Sequence, residues 1–168
     1  HEYNTIEEID FDQVKKLIDQ DKINEFRNRS LDIDNPTTRG TNQTDQIYFQ
    51  SVEARNSLYT DMEDIVANNM IKINKLANTN YQPFNYYGDN EAKNVIVAMG
   101  SVCDTVKLVV DDLVKKGESV GLVEVHLYRP FSKKYFDIAL PSTTKRIAVL
   151  DRTKEAGALG EPLYQDVC

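Results

Sequence analysis

Only two cysteines occur in 168 residues, Cys103 and Cys168. That is too few for a disulfide framework, and their spacing does not suit a zinc site. A reducing compartment is the simple reading. No window approaches the ~18 consecutive apolar residues of a membrane span, so the chain is expected to be soluble, with no membrane partner. A basic stripe is also missing: 20 Lys and Arg face 27 Asp and Glu, for a net charge of −7 and a pI near 4.9. A nucleic-acid backbone is therefore an unlikely ligand on electrostatic grounds. The chain starts at His1, carries no charged-then-apolar targeting segment, and reads as a piece of something longer. Its 40% hydrophobic and 28% charged content is that of a globular protein. The length suffices for one domain with an extension.

The second half is the clearer. Val95 to Met99 is a continuous apolar run, as expected for a strand covered on both faces. Ser101 is placed to cap a helix whose apolar positions are Val102, Val106, Val109, Val110 and Leu113, closed by Gly117 as its C′ residue. A second strand is predicted over Ser119 to Leu127, a short helix over Ser132 to Ala139 ended by Pro141, and a third strand over Arg146 to Leu150. Such spacing suits right-handed βαβ units. The fold class expected is α/β: a three-layer α/β/α domain with a mostly parallel sheet, closed at one edge by an additional strand, plus an N-terminal helical extension. The organisation read from the chain is 1–78 as a helical and extended segment wrapping the core, 79–93 as an aromatic linker and 94–168 as the α/β core, one domain overall.

In the first half, Phe11 to Arg29 carries apolar positions at Phe11, Val14, Leu17, Ile18, Ile23 and Phe26, with Asp10 as a cap and a break expected near Asp21. Leu31 to Pro36 is turn-forming. Thr37 to Gln50 has no period, only a short extended stretch at Ile47 to Phe49. Leu58, Met62, Ile65, Val66, Asn69, Ile73 and Leu76 recur at helical steps, predicting one long helix from Glu53 to about Ala77. The aromatics of Tyr81 to Gly88 suit a loop that packs while it bridges.

Parallel strands place three turns on one edge, where open α/β sheets bind ligands or partners. Gly100 and Ser101 lie at a strand-to-helix turn that could favour an anion, although GxGxxG and GxxxxGK[ST] are both missing. Asp151, Arg152, Thr153, Lys154 and Glu155 form a charged cluster after the third strand, a docking surface or a solvated loop. Arg129 marks the exit of the second strand. Arg39, Gly40 and Thr41 could hold a carboxylate or phosphate, or serve an interdomain salt bridge. Glu124, His126 and Tyr128 should share one strand face, His126 as a packing residue because no nucleophile with a matched partner stands beside it in sequence. Cys103 reads as buried packing, and Asp61, Glu63 and Asp64 as a solvated helix face. No residue is assigned to catalysis or to metal binding.

The runs VIVAMGSVCDTVKLVVDDLVKKGESVGLVEVHLYRPFS and IAVLDRTKEAGALGEPLY resemble pyruvate:ferredoxin (flavodoxin) oxidoreductase, as do TRGTNQTDQIYFQ and YQPFNYYG ahead of them. The resemblance implies a fragment covering the enzyme's second core domain, with a fold like the transketolase C-terminal domain. It implies a larger protein that oxidatively decarboxylates pyruvate with coenzyme A as substrate, giving acetyl-CoA and CO2 and reducing ferredoxin or flavodoxin. That protein is expected to use thiamine diphosphate, magnesium and iron–sulfur clusters, and to be a cytoplasmic homodimer, or to lie in an anaerobic organelle if the source is a eukaryote. None of those cofactor motifs is in this chain, so the fragment is expected to be non-catalytic, with other domains of the same polypeptide as its partners. A binding module for the nucleotide part of coenzyme A and an interdomain docking scaffold are the alternatives.

Overall fold

The computed structural model describes residues 6–36 and 42–168; Arg39, Gly40 and Thr41 lie outside the described residues. The chain divides into two compact units, His1–Thr60 with Lys72–Thr79, and Asp61–Ile71 with Asn80–Cys168. Among the described residues no helix is long and apolar enough to cross a membrane.

The first unit is helical. α1 (Phe11–Leu17) is capped by Asp10, which accepts from the Asp12 N–H. α2 (Gln20–Arg27) is capped by Asp19, which accepts from the N–H groups of Asp21 and Lys22 at 3.0 and 3.2 Å. The break thus falls at Ile18–Asp19, two residues before the expected place, because the better cap is Asp19. The single helix expected from Glu53 to Ala77 is three: α3 (Asp45–Ala54), α4 (Asn56–Tyr59) and α5 (Met62–Ala77). The breaks coincide with polar side chains that compete for local bonds. Ser57 Oγ donates to the Ala54 carbonyl at 3.0 Å, and Asn56 to Glu53 Oε2 at 3.2 Å. Ile47 to Phe49, expected to be extended, is helical within α3. Three consecutive apolar residues carry no period that could have separated the two states. α5 stops at Asn78, whose φ of 51° lets the Thr79 N–H reach back to the Asn74 carbonyl at 3.2 Å.

The second unit holds β1 (Phe84–Gly88), β2 (Asn94–Ala98), α6 (Val102–Lys115), β3 (Val120–Val125), α7 (Lys133–Ala139), β4 (Arg146–Val149) and α8 (Pro162–Val167). The four strands form one sheet in the order β1-β3-β2-β4. β2 runs parallel to both β3 and β4, with Val95 opposite Gly121 and Ile147. β1, which lies within the run read as a linker, pairs antiparallel with β3, Phe84 opposite Val125. It is the additional edge strand of the expected mixed sheet. Its aromatics alternate, Phe84 and Tyr86 toward one face and Tyr87 toward the other.

Each sheet face has its own core. On one, Phe84, Val95, Val97, Val123 and Val125 meet Phe136 of α7 and Leu163 of α8. On the other, Ala98 and Leu122 meet Cys103, Val106 and Val110 of α6. The layers are therefore α/β/α, as expected. Val109, placed on the buried face by its spacing, is 49% exposed, because Cys103 takes the first-turn position of that face. α6 closes as predicted, Gly117 N–H on the Val114 carbonyl and Glu118 N–H on that of Leu113. Gly121 is required by close approach: a Cβ there would land on the Tyr86 hydroxyl. That hydroxyl donates to the Asp89 carbonyl at 2.5 Å, and burial, then the Asp89 charge, pushes its pKa up to about 12.

The acidic start of α5 is more than a solvated face. Asp64 accepts from the Tyr135 hydroxyl at 2.7 Å and from Lys134 Nζ at 2.6 Å, joining this part of α5 to α7. The bond from Lys134, then that from Tyr135, holds the Asp64 carboxyl below the usual carboxylate range.

Candidate functional site at the sheet edge

The parallel strands bring the turns after β2, β3 and β4 to one edge of the sheet. The chain leaves β2 for α6 on one face and leaves β4 for α8 on the other, as the two cores require. Neighbouring strands whose exits diverge open a crevice between them, the switch point at which α/β sheets take ligands. Here that crevice is a groove of about 550 Å³ lined by Met99, Ser101, Val102, Thr105, Leu150, Asp151, Arg152 and Thr153.

At the β2 side, Gly100 adopts a φ of 78°, and its carbonyl accepts the Cys103 N–H at 3.1 Å. The left-handed conformation suits glycine and turns the chain sharply into α6. Ser101 is not the side-chain cap its position predicts. It is already helical, with φ −62° and ψ −19°, and makes no capping bond, so its exposed hydroxyl stays on the groove wall. A cap needs an extended backbone to aim its oxygen at the following N–H groups.

At the β4 side, Asp151 is committed to the fold. Its Oδ1 accepts from the Thr153 N–H and its Oδ2 from the Leu163 N–H, both at 2.9 Å. The bond from Thr153 lowers its pKa most, that from Leu163 further. It caps the first turn of α8 from a distance in sequence, which makes it a poor general base. Lys154 binds Glu161 at 2.5 Å, holding Glu161 below its ordinary value. Arg152 lies exposed on the rim. Arg129, at the turn after β3, gives its guanidinium to Asp166 at 2.6 Å and stacks on Tyr128 at 4.0 Å. The Arg129–Pro130 peptide is cis.

Of the sequence-derived candidates the groove thus gathers Ser101, Asp151 and Arg152, with Gly100 beside it. Lys154 and Arg129 are engaged elsewhere. Thr153, inside the Asp151-to-Glu155 cluster, also lines the groove; Thr105 was missed, although it stands one helical turn after Ser101. Glu124, His126 and Tyr128 do not share a strand face, because β3 ends at Val125. Glu124 pairs with Lys107 at 2.8 Å, while His126 Nδ1 lies 3.0 Å from the Gln82 carbonyl and the ring meets Tyr81 edge-on.

Cys103 is buried beneath α6, and burial, then the Glu124 charge, pushes its thiol up. Among the described residues no three His, Cys, Asp or Glu side chains gather as a metal would need. Two cysteines, one of them buried in the core, do not supply the four ligands that an iron–sulfur cluster takes. The groove presents one guanidinium, one carboxylate, three hydroxyls and apolar walls.

Residues 92–168 match the family model described as pyruvate:ferredoxin oxidoreductase core domain II. That stretch, from just ahead of β2 to the end of α8, belongs to the family. Over 167 residues, 99% of the chain, it is 50% identical to a pyruvate-flavodoxin oxidoreductase of Klebsiella pneumoniae and 49% to a pyruvate:ferredoxin oxidoreductase of Moorella thermoacetica, of each of which it spans 14%. It is 47% identical to the mitochondrial pyruvate dehydrogenase [NADP(+)] of Euglena gracilis, of which it spans 9%. The identity includes the stretch ahead of residue 92.

Proposed function

We propose that the chain is a non-catalytic structural domain of a longer 2-oxoacid oxidoreductase, one that converts pyruvate and coenzyme A to acetyl-CoA and CO2 and reduces ferredoxin or flavodoxin. The single observation that carries this is identity near 50% along 99% of the chain to enzymes of those names, each about seven times as long. On this reading thiamine diphosphate, magnesium and iron–sulfur clusters sit in other domains, the whole enzyme is a homodimer, and the sheet-edge residues Gly100, Ser101, Arg129, Asp151, Arg152 and Lys154 meet neighbouring domains. Arg39, Gly40 and Thr41 are contact residues on the same reading. The commitment of Asp151, Lys154 and Arg129 to internal bonds supports a structural role. The purified 168-residue chain is expected to show no pyruvate oxidation and negligible thiamine diphosphate binding. Measurable turnover from it overturns the reading.

The groove motivates a second reading, a site for the nucleotide part of coenzyme A, with Arg152 on a phosphate and Ser101 and Thr153 as donors. Calorimetry with coenzyme A tests it: heat at millimolar ligand that is lost in Arg152→Ala supports it, and no heat discards it.

A further inference from the structure

The antiparallel strand β1 has a strand neighbour on one side only. The His126 N–H reaches the Pro83 carbonyl at 3.0 Å and the Asp89 N–H that of Val120 at 3.1 Å, both in the register that sets Phe84 opposite Val125. Bonded and non-bonded pairs alternate along an antiparallel ladder, so Asn85 and Tyr87 bond to β3 as Pro83 and Asp89 do. The N–H and C=O groups of Phe84 and Tyr86 therefore turn to the other edge. Phe84 is enclosed at 2% exposure, which leaves half-buried Tyr86 with the reachable pair. Backbone groups of this kind are what an added extended chain binds.

A groove of about 420 Å³ runs beside β1. Asn80 and Gln82, ahead of the strand, and Asn90, after it, all line it, so it follows a strand of five residues, ~13 Å at about 3.3 Å per residue. Its other bank is apolar, with Ile138, Leu140 and Pro141 from the end of α7 and the turn beyond. Among the described residues no Asp, Glu, Lys or Arg lines it, in a chain of which 28% is charged. Asn85 is spent on the fold: its Oδ1 accepts from the Gln82 N–H at 2.8 Å, and its Nδ2 donates to the Asn80 carbonyl at 2.6 Å. The side chains of Asn80, Gln82 and Asn90 make no such bond among the described residues. Each sets donors beside an acceptor, the complement of a peptide group.

Length and charge name the occupant. A channel as long as a strand, with amides at both ends and an unpaired backbone pair between them, suits a chain better than a compact ring. Without a charged side chain it has nothing to hold a phosphate, a carboxylate or an ammonium. A second copy would bring another net charge of −7 against this one. We propose that the β1 groove binds an extended, uncharged segment of a partner polypeptide, added to the sheet as a strand: its backbone pairs with Tyr86, the amides of Asn80, Gln82 and Asn90 hold its flanking peptide groups, and its alternate side chains rest on Ile138 and Leu140.

The probe is a blocked pentapeptide of alternating valine and threonine, titrated into the isotope-labelled 168-residue chain and followed by two-dimensional NMR. Saturable shifts centred on the Tyr86 amide are expected at millimolar peptide. The same peptide N-methylated at alternate residues cannot complete the ladder and should bind about tenfold more weakly or worse. No shift overturns the proposal, as does equal binding of the N-methylated peptide or shifts gathered around Ser101 and Arg152 instead. Shifts at Tyr86 that grow with protein concentration before peptide is added assign the edge to a second copy and overturn it too. Fluorescence anisotropy of the labelled peptide on the full-length enzyme gives an independent comparison. Ile138 is 70% exposed, so Ile138→Lys leaves the core intact and is expected to weaken binding several-fold; no binding to the wild-type enzyme, or equal binding to the variant, overturns the proposal.

Discussion

The two units differ in what their apolar residues touch. In the second, Leu122, Val123, Val95 and Leu163 are fully enclosed between sheet and helices. In the first, α1 to α4 bury no residue, and Phe26 and Leu31 stand 70% and 84% exposed. Helices of seven, eight, ten and four residues are too short to persist on propensity alone. The lesson is that periodicity produces helices in both regions, but only a second layer turns an apolar stripe into stability.

The contrast can be broken or sharpened by substitution. Leu122→Ala, at the centre of the sheet, is expected to cost about 2–5 kcal/mol in urea denaturation, the usual range for a core leucine. A loss under 1 kcal/mol would mean that this core is not what holds the unit. Gly121→Ala should follow at about 1–3 kcal/mol, because the new methyl must displace the hydrogen-bonded Tyr86. Tyr86→Phe in the same background is expected to restore part of the loss.

Asp151→Ala removes an acceptor from the first turn of α8 and should cost about 0.5–2 kcal/mol, with the circular-dichroism melting point as readout. Acid probes the same contacts. Both Asp64 and Asp151 are held below the ordinary value of 3.8, so between the two values the unfolded chain binds more protons. Their contribution is complete above the unfolded value and is lost as pH falls through the folded one. Urea midpoints should drop from pH 5 to pH 3, and less steeply in a double Asp64→Asn, Asp151→Asn variant; equal slopes would dismiss both contacts. The smallest effect is expected in the first unit. Leu31→Ser should change the midpoint of the 168-residue chain by less than ~0.5 kcal/mol, and a core-sized loss would erase the distinction between the units.

Much of the second unit was legible beforehand. Val95 to Met99, Ser132 as a helix start and Gly117 as a stop are decided by neighbours a few residues away, and these elements form where expected. β1 was hidden inside an aromatic run, since its partner, β3, lies some forty residues on. The candidate edge was legible as three turns. Which of them face one groove was not, because it depends on the sheet order placing β4 beside β2 rather than beside β3.

Local chemistry, then, settled the elements of the α/β half from β2 to β4, but not β1 or α8, and, through long stretches shared with relatives, the resemblance to the family. Packing alone decided the rest: that Asp151 caps a helix eleven residues later, that Asp64 joins α5 to α7, that Val109 lies open, and that the β4 edge of the sheet is mostly exposed. Each of these depends on atoms far apart in the chain, and the free energy that brings them together comes from burying surface, which no short window of sequence encodes.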